Sequence, residues 1–207
     1  MYSLSYIYLD TAYSDAIIVN MFDQKNITYE GIVPLDKQEE IKNLLYSSNF
    51  PWFYHPRTVK TENNSDLNIF ESYQFTHTFY RYVDSKGCAN SHFINIPNTL
   101  LNLFLYSQGI DQCEVLRCRV NLQTAHSSAK NKYNTPHNDL DVDHYVLLYY
   151  ADSSDSFTYL FDDNGNITEC ISSEQGKFCI FSGKTKHAGS HPVFSENRCV
   201  INFNIRF

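Results

Sequence analysis

The chain has 207 residues, of which 43% are apolar and 19% are charged, and its formal net charge is −7. This composition argues against a disordered chain, and the lack of an apolar run of about 18 residues argues against a transmembrane helix. The negative charge provides no basic field for a phosphate backbone, which argues against a nucleic-acid partner. Sixteen tyrosines and fifteen phenylalanines against seven glycines favour strands over long helices.

The cellular compartment is predicted from the N-terminal segment and the cysteines. Residues 1–10 contain neither the basic region nor the apolar region of a secretory signal, so we expect a cytoplasmic protein. If the chain is encoded by a phage, this is the host cytoplasm. The cysteines form no Cys-x-x-Cys pair and several alternate within apolar runs, so we predict six free thiols in the core. They are Cys88, Cys113, Cys118, Cys170, Cys179 and Cys199.

Two helices are predicted in the first half of the chain. One spans residues 35–47 and begins after Pro34, and the other spans residues 98–107 and ends near Gly109. Both are expected to cover a sheet. Trp52 is expected to pack the end of a helix against that sheet.

Strand patterns dominate the second half of the chain. In residues 115–122, apolar side chains alternate with Arg117, Arg119 and Asn121, and residues 198–207 alternate in the same way. A polar second face of this kind is exposed to water, or it lines the lumen of a barrel or sandwich that holds a polar ligand.

Further short strands lie between these two segments, and Asn164-Gly165 marks a hairpin turn. Many short strands with helices concentrated in the first half indicate a mainly β (α+β) fold. The pattern favours a sandwich or jelly roll of antiparallel strands supported by helices. The additional strands are predicted at residues 146–150, 157–161, 167–171 and 177–181.

The sequence His137-Asn138-Asp139 is the sharpest chemical feature of the chain. On a strand, residues two apart project to the same side, so the imidazole and the carboxylate can bind one metal ion. His187 follows a predicted strand and turn, after enough chain for the intervening hairpins to bring it back. Two histidines and one carboxylate suit Fe(II) that also binds a chelating co-substrate and dioxygen. Arg198, on the polar face of the last strand, would pair with the far carboxylate of a dicarboxylic acid.

This set of residues resembles the signature of the Fe(II)/2-oxoglutarate-dependent dioxygenases, especially the prolyl-4-hydroxylase-like branch. The resemblance covers roughly residues 113–207, and Tyr150 and Thr158 are similar to residues in the strands that follow the family's His-x-Asp motif. The usual Gly-Gly before this threonine is replaced by residues 155–157, Asp-Ser-Phe. The chain as a whole also looks like small members of the family from tailed phages.

The resemblance implies a single domain with a double-stranded β-helix core. Residues 113–207 would form this catalytic core, and residues 1–112 would supply supporting helices and strands. It also implies Fe(II) bound by His137, Asp139 and His187, with a carboxylate of 2-oxoglutarate paired with Arg198. Two further contacts to 2-oxoglutarate are implied, from Tyr150 and Asn121.

The reaction implied by the resemblance uses 2-oxoglutarate and dioxygen as co-substrates. Oxidative decarboxylation of 2-oxoglutarate to succinate would be coupled to hydroxylation of a C–H bond in an unidentified substrate, either a protein side chain or a small molecule. Two other classes of protein remain open. One is a catalytically inactive jelly-roll binding module, against which the complete ligand set argues. The other is a cupin-type metalloprotein with a different co-substrate, which Arg198 makes less favourable.

A calcium site is the first alternative interpretation of these acidic residues. Asp139, Asp141 and Asp143 alternate as calcium ligands often do. However, an EF-hand loop that begins at Asp139 requires glycine at its sixth position and glutamate at its twelfth. The chain has His144 and Tyr150 there, so we interpret the two later aspartates as part of a solvated loop.

A helical zinc site is the second alternative. His187 and His191 have the required spacing, but Gly189 and Pro192 oppose a helix. His191 also competes with His187 for the distal ligand position. It lies too close to Arg198 along the chain for the strand-to-strand return of the family, so we prefer His187.

A small group of basic residues is expected near the mouth of the site. It comprises Arg117, Arg119 and residues 130–132. Such groups more often form a solvated rim than a phosphate site, so we predict a rim.

Overall fold

The computed structural model describes residues 26–58 and 66–207. Residues 1–10, on which the prediction of a cytoplasmic protein depends, lie outside the described residues. Among the described residues, no helix is long and apolar enough to cross a membrane. The helices are α1 (Leu35–Leu45) and α2 (Asn95–Gln108), with a short 3-10 helix at Ser127–Ala129. The strands are β1 (Ile27–Tyr29), β2 (Phe53–His55), β3 (Gln74–Val83), β4 (Lys86–Ala89), β5 (Glu114–Thr124), β6 (Tyr145–Tyr150), β7 (Phe157–Phe161), β8 (Ile167–Ser172), β9 (Phe178–Ser182), β10 (Lys186–Gly189) and β11 (Asn197–Arg206).

Both predicted helices are present with adjusted ends. The helix α2 begins three residues before its predicted start, and Pro97 lies in its first turn. Proline is tolerated there because the first N–H groups of a helix have no partner within the helix. The helix ends at Gly109, whose φ of 68° is the left-handed conformation that glycine adopts readily. Trp52 packs at the end of α1 as expected, and its Nε1 donates to the carbonyl of Leu45 at 3.0 Å.

The strands form two antiparallel sheets. The larger sheet has the order β1-β9-β6-β11-β5-β3-β2, with β4 paired to β3, and the smaller has the order β10-β7-β8. The predicted hairpin turn connects β7 and β8, and Gly165 has a φ of 83° there. Strands from both halves of the chain share the larger sheet, since β3 pairs with β5 and β1 with β9. This mainly β architecture confirms the predicted jelly roll.

The core lies on the apolar face of the larger sheet. Cys199, Ile201 and Phe203 of β11 are completely buried in one cluster with Leu100 and Phe104 of α2. The alternation predicted from the sequence therefore separates two environments. The apolar face packs against the helices, and the opposite face points toward the smaller sheet.

A second apolar cluster lies between the two sheets. It includes Leu148 of β6, Leu160 of β7, Ile171 of β8 and Val200 of β11. On β11 the polar side chains of Arg198 and Asn202 flank Val200, and with polar side chains of β5 they line a space between the two sheets. That space is the location of the candidate site.

The prediction that all six cysteines lie in the core is wrong for part of the set. All six are free thiols, but Cys88 and Cys170 are exposed and Cys113 is only half-buried. Cys170 lies on β8, an edge strand of the smaller sheet, where alternate side chains point outward and Ile171 points inward. Alternation within an apolar run therefore did not reveal which face of the strand was covered.

Candidate metal centre

The structure brings His137, Asp139 and His187 together. Each residue offers one ligand atom, and these atoms all lie within 4.8 Å of one another. His137 and His187 form an antiparallel bridge in which each backbone N–H donates to the other residue's carbonyl at 3.0 Å. The chain between the two histidines makes hairpins that return His187 beside His137, as the length of this segment predicts.

The local backbone differs from the strand expected for the His-x-Asp sequence. His137 occupies the isolated bridge, and Asp139 follows in a bend rather than in a continuous strand. The amide of Asn138 donates to the carbonyl of Gly183 at 2.9 Å and ties this bend to the turn between β9 and β10. The side chains of His137 and Asp139 still converge because the bend directs both of them toward His187.

Asp139 is a buried carboxylate with partners on both oxygens. Its side chain is 2% exposed, and Arg117 Nη2 lies 2.5 Å from Oδ1. The amides of Asn202 and Asn204 on β11 donate to Oδ2 at 2.8 and 2.9 Å. The prediction that Arg117 belongs to a solvated rim is wrong, because the polar face of β5 borders the space between the sheets.

The electrostatics of the site keep Asp139 ionised. Burial raises the pKa of this carboxyl, but the nearby His187, Arg117 and His137 together with the hydrogen bond from Asn204 hold the pKa well below its usual range. A carboxylate that stays charged when buried is prepared to bind a cation.

The two histidines present free Nε2 atoms toward Asp139. Nδ1 of His137 lies 3.0 Å from the carbonyl of Thr135, and Nδ1 of His187 lies 3.4 Å from the carbonyl of Thr185. These contacts fix the proton on Nδ1 and leave Nε2 as an acceptor, as in metal-binding histidines. The Nε2 atoms lie 3.8 and 3.7 Å from the carboxylate oxygens. Burial lowers the pKa of His187 to about 4, so this imidazole is neutral near pH 7.

Arg198 lies at the other end of the same space and has only neutral partners. Its Nη2 donates to Thr158 Oγ1 at 2.8 Å and its Nη1 donates to Gln123 Oε1 at 3.2 Å. Its Nε is buried without a partner, and no ion pair involves Arg198 within the described part of the chain. Gly189 makes room for this side chain, since a Cβ there would lie 3.0 Å from Nη1.

Tyr150 and Asn121 occupy different positions relative to the space between the sheets. The hydroxyl of the fully buried Tyr150 donates to Thr158 Oγ1 at 2.8 Å, and the ring of Tyr150 does not line the pocket. Thr158 therefore accepts from both Tyr150 and Arg198, which leaves its own hydroxyl proton for a ligand. Asn121 lines the pocket directly, and its Oδ1 is buried without a partner.

One pocket connects the histidine pair to Arg198. Its cavity volume is about 60 Å³, so the space between these side chains is narrow. Sequence reasoning did not assign Gln123, Asn134 or Arg119 to this pocket, although the alternation on β5 placed Arg119 on the same face as Asn121. The lining residues are Thr58, Gln74, Arg119, Asn121, Gln123, Asn134, His137, Leu148, Thr158, His187, Gly189, Arg198, Val200 and Asn202.

His191, the competing histidine, lies outside this group. Its Nδ1 is 3.1 Å from the carbonyl of Thr124, and its ring packs edge-on against Phe70. It is not one of the three residues whose ligand atoms converge.

Solved structures with a similar fold are 2-oxoglutarate and Fe(II) oxygenases. An oxidoreductase of the 2OG-Fe(II) oxygenase family from Burkholderia pseudomallei aligns with a TM-score of 0.66 at 11% identity, over 96% of this chain and 92% of that one. A prolyl-4-hydroxylase from Pseudomonas putida has a TM-score of 0.55 at 12% identity, over 94% and 99%. The viral collagen prolyl hydroxylase from Paramecium Bursaria Chlorella virus-1, solved as a 2-oxoglutarate complex, has a TM-score of 0.52 at 15% identity, over 87% and 95%.

No protein-family model matches the sequence, and no curated protein sequence matches it. At identities of 11–15% the structural likeness concerns the fold. The fold implied by the His-x-Asp resemblance, the jelly roll of the 2-oxoglutarate and Fe(II) oxygenases, is therefore confirmed.

Proposed function

We propose that this protein is an Fe(II)- and 2-oxoglutarate-dependent dioxygenase that hydroxylates a protein side chain or a small molecule in the cytoplasm. One observation carries the proposal. One pocket is lined at one end by two imidazoles, whose ligand atoms converge with the carboxylate of Asp139, and at the other end by a buried guanidinium that forms no ion pair within the described residues. The first group suits a divalent metal, and the second suits the distal carboxylate of the co-substrate.

The donor set fits iron. His137, Asp139 and His187 would hold the metal through two Nε2 atoms and one carboxylate oxygen. Two histidines and one carboxylate form the ligand set typical of non-haem Fe(II) oxygenases, which leave other metal positions open. Arg117, and the amides that donate to Asp139, would keep the carboxylate in one orientation.

The other end of the pocket fits the distal carboxylate of 2-oxoglutarate. Arg198 has an unpartnered Nε, and Thr158 has a hydroxyl proton to donate. Arg198 and Asn202 lie on the same face of β11, and four residues of extended chain span about 13 Å. A five-carbon dicarboxylate, together with the side chains that hold its two ends, bridges such a distance.

Iron, 2-oxoglutarate and dioxygen supply the oxidation when bound: one oxygen atom enters succinate as CO2 is released, and the other enters a C–H bond of the substrate. The protein positions these reactants and controls their surroundings. Leu148 and Val200 provide apolar walls between the polar ends of the pocket. The neutral His187 and the ionised Asp139 are in the protonation states that ligands require, so metal binding need not displace a proton from either residue near pH 7.

Succinate formation tests the proposed activity. The protein is supplied aerobically with Fe(II), ascorbate and 2-oxoglutarate, and succinate is quantified by mass spectrometry. We expect succinate from the wild type and from the control His92→Ala, which changes an exposed histidine, and only background from His187→Ala. Binding of metal and 2-oxoglutarate without succinate would indicate an inactive binding module. Metal binding without any affinity for 2-oxoglutarate would indicate a cupin-type metalloprotein.

A further inference from the structure

Arg119 is a second guanidinium in the pocket, at the level of the metal ligands. It lies on β5 directly opposite Asn202 of β11, whose amide donates to Asp139. It also lies two residues from Arg117 on the same face of the strand. Arg198 pairs in register with Gln123, four residues along β5 from Arg119. The two pocket guanidinium groups therefore originate from different ends of the lumen.

Arg119 has no partner that accounts for its charge. Its Nε is buried without a hydrogen bond, and no hydrogen bond or ion pair to it occurs within residues 26–58 and 66–207. Burial and the neighbouring Arg117 lower its pKa to about 10 against the opposing charge of Asp139, which forms its ion pair with Arg117 instead, and Arg119 stays charged at neutral pH. On the neighbouring strand β11, Oδ1 of Asn202 is also buried without a partner among the described residues. Unpaired polar groups on two adjacent strands are costly unless a ligand completes them.

The charges of the proposed reactants leave Arg119 without a counter-ion. Asp139 already pairs with Arg117 and would also bind the metal. One carboxylate of 2-oxoglutarate would pair with Arg198, and the charge of the other would be neutralised by the metal that it chelates. No further anion remains for Arg119 among the pocket-lining residues that the structure describes.

We propose that Arg119 binds a carboxylate of the primary substrate, so that the molecule hydroxylated is an organic acid held by its carboxylate beside the metal. This inference rests on the proposed function and specifies its substrate class. A guanidinium suits this role because it forms two parallel hydrogen bonds to a carboxylate and so fixes the orientation of the bound molecule. Discrimination against the corresponding amide would follow from the loss of the charge interaction.

The test uses the loaded protein and simple probes. The wild type is first saturated with Mn(II), a redox-inert substitute for iron, and with N-oxalylglycine, an unreactive analogue of 2-oxoglutarate. Propionate and 3-phenylpropionate are then titrated, each against its matched amide. Nuclear magnetic relaxation of the probes by Mn(II) reports both the affinity and the closeness of the bound probe to the metal.

The variants are Arg119→Gln, Arg119→Lys and the matched control Arg81→Gln, which removes an exposed guanidinium from β3. For the wild type and the control we expect the acids to bind at least about tenfold more tightly than their amides, with enhanced relaxation. Arg119→Gln should weaken the binding of the acids by about tenfold or more. Arg119→Lys should retain part of the preference for acids over amides. The affinity for N-oxalylglycine should stay within about threefold in all variants.

Three results would overturn the inference. The first is that acids and amides bind equally, or that neither binds to the loaded wild type up to about 50 mM. The second is that Arg119→Gln leaves the acid preference intact. The third is that Arg119→Gln weakens the binding of N-oxalylglycine instead, which would mean that Arg119 binds a carboxylate of the co-substrate. Failure of the wild type to bind Mn(II) or N-oxalylglycine would overturn the proposed function itself, and this is visible before any probe is added.

Discussion

The two ends of the site differ in the partners that they give to a buried charge. At one end, Asp139 receives a guanidinium and two amide donors, and two imidazoles lie beside it. At the other end, Arg198 is as well buried but has only the neutral oxygens of Gln123 and Thr158, and its Nε has no partner.

This difference shows at which end the protein's own residues balance the buried charge. The carboxylate end is electrostatically balanced by Arg117, so the protein itself stabilises Asp139 in the geometry that a metal requires. Arg198 forms no ion pair within the described residues, and Asp152 acts on it only from beyond ion-pair distance. In the proposed function, the first end orients a ligand and the second end captures an anionic ligand.

The largest expected effect is the loss of metal binding in Asp139→Ala. Loss of an outer partner commonly reduces metal affinity by about 10–100-fold, and loss of a direct ligand should exceed this range. The measurement is the Mn(II) or Fe(II) dissociation constant by anaerobic titration. The control is Asp141→Ala, which removes an exposed carboxylate two residues away and should leave the affinity nearly unchanged. Equal losses in the two variants would mean that the wrong carboxylate was chosen.

The next largest expected effect is the loss of 2-oxoglutarate affinity in Arg198→Ala, at the opposite end of the pocket. Charge-assisted hydrogen bonds contribute roughly 1.5–3 kcal/mol each, so Arg198→Ala should weaken 2-oxoglutarate binding by about 100-fold or more. Metal binding should change little. The melting temperature should not fall as it would after loss of a salt bridge, because Arg198 forms no ion pair within the described residues.

The matched control for this variant is Arg206→Ala on the same strand. Arg206 is exposed and pairs with Glu114, outside the pocket, so its removal should leave 2-oxoglutarate affinity unchanged. An affinity within about threefold of the wild type in Arg198→Ala would reject the role assigned to this residue.

A smaller effect is expected from His191, near the Arg198 end, on the pH dependence of the free energy of unfolding. Burial and the charges of Arg198 and His126 lower its pKa below the usual 6.5, although the hydrogen bond to the Thr124 carbonyl and the charge of Glu71 oppose the shift. The unfolded chain then binds a proton near pH 6.5 that the folded chain resists. The free energy of unfolding should therefore be highest above pH 6.5 and should decrease as the pH falls through the folded pKa. Chemical denaturation at several pH values should give a shallower acid slope for His191→Gln than for the wild type or for His92→Gln, a control at an exposed site.

The smallest expected effect is that of a reductant. All six cysteines are free thiols, so dithiothreitol should leave the melting temperature unchanged. A decrease of several degrees in the melting temperature on reduction would show that a disulfide forms in the native protein and contradict the prediction of six free thiols in a cytoplasmic protein.

The sequence was sufficient to predict the positions of those residues whose placement depends on local spacing. The alternation in β11 placed Arg198 on the polar face, and the His-x-Asp sequence with a distant histidine identified the three side chains that converge. These features could be predicted because strand periodicity and hairpin return are properties of short segments.

The roles of Arg117 and Arg119 could not be predicted in the same way. Alternation showed that they share a face of β5, but only the position of the smaller sheet shows that this face borders a pocket instead of water. The same ambiguity produced the error at Cys170, whose outward direction depends on β8 lying at a sheet edge. Long-range packing decides both cases, and the pattern of a single strand does not contain that information.

The most direct test of the central claim is an anaerobic titration of the protein with Fe(II) and 2-oxoglutarate, monitored by visible absorption. Chelation of protein-bound Fe(II) by the 2-oxo acid produces a charge-transfer band. The account predicts that this band saturates at one equivalent of each component, that it is lost in Asp139→Ala, and that it requires much higher 2-oxoglutarate concentrations in Arg198→Ala. Fe(II) binding by the wild type without any such band at saturating 2-oxoglutarate would contradict the account.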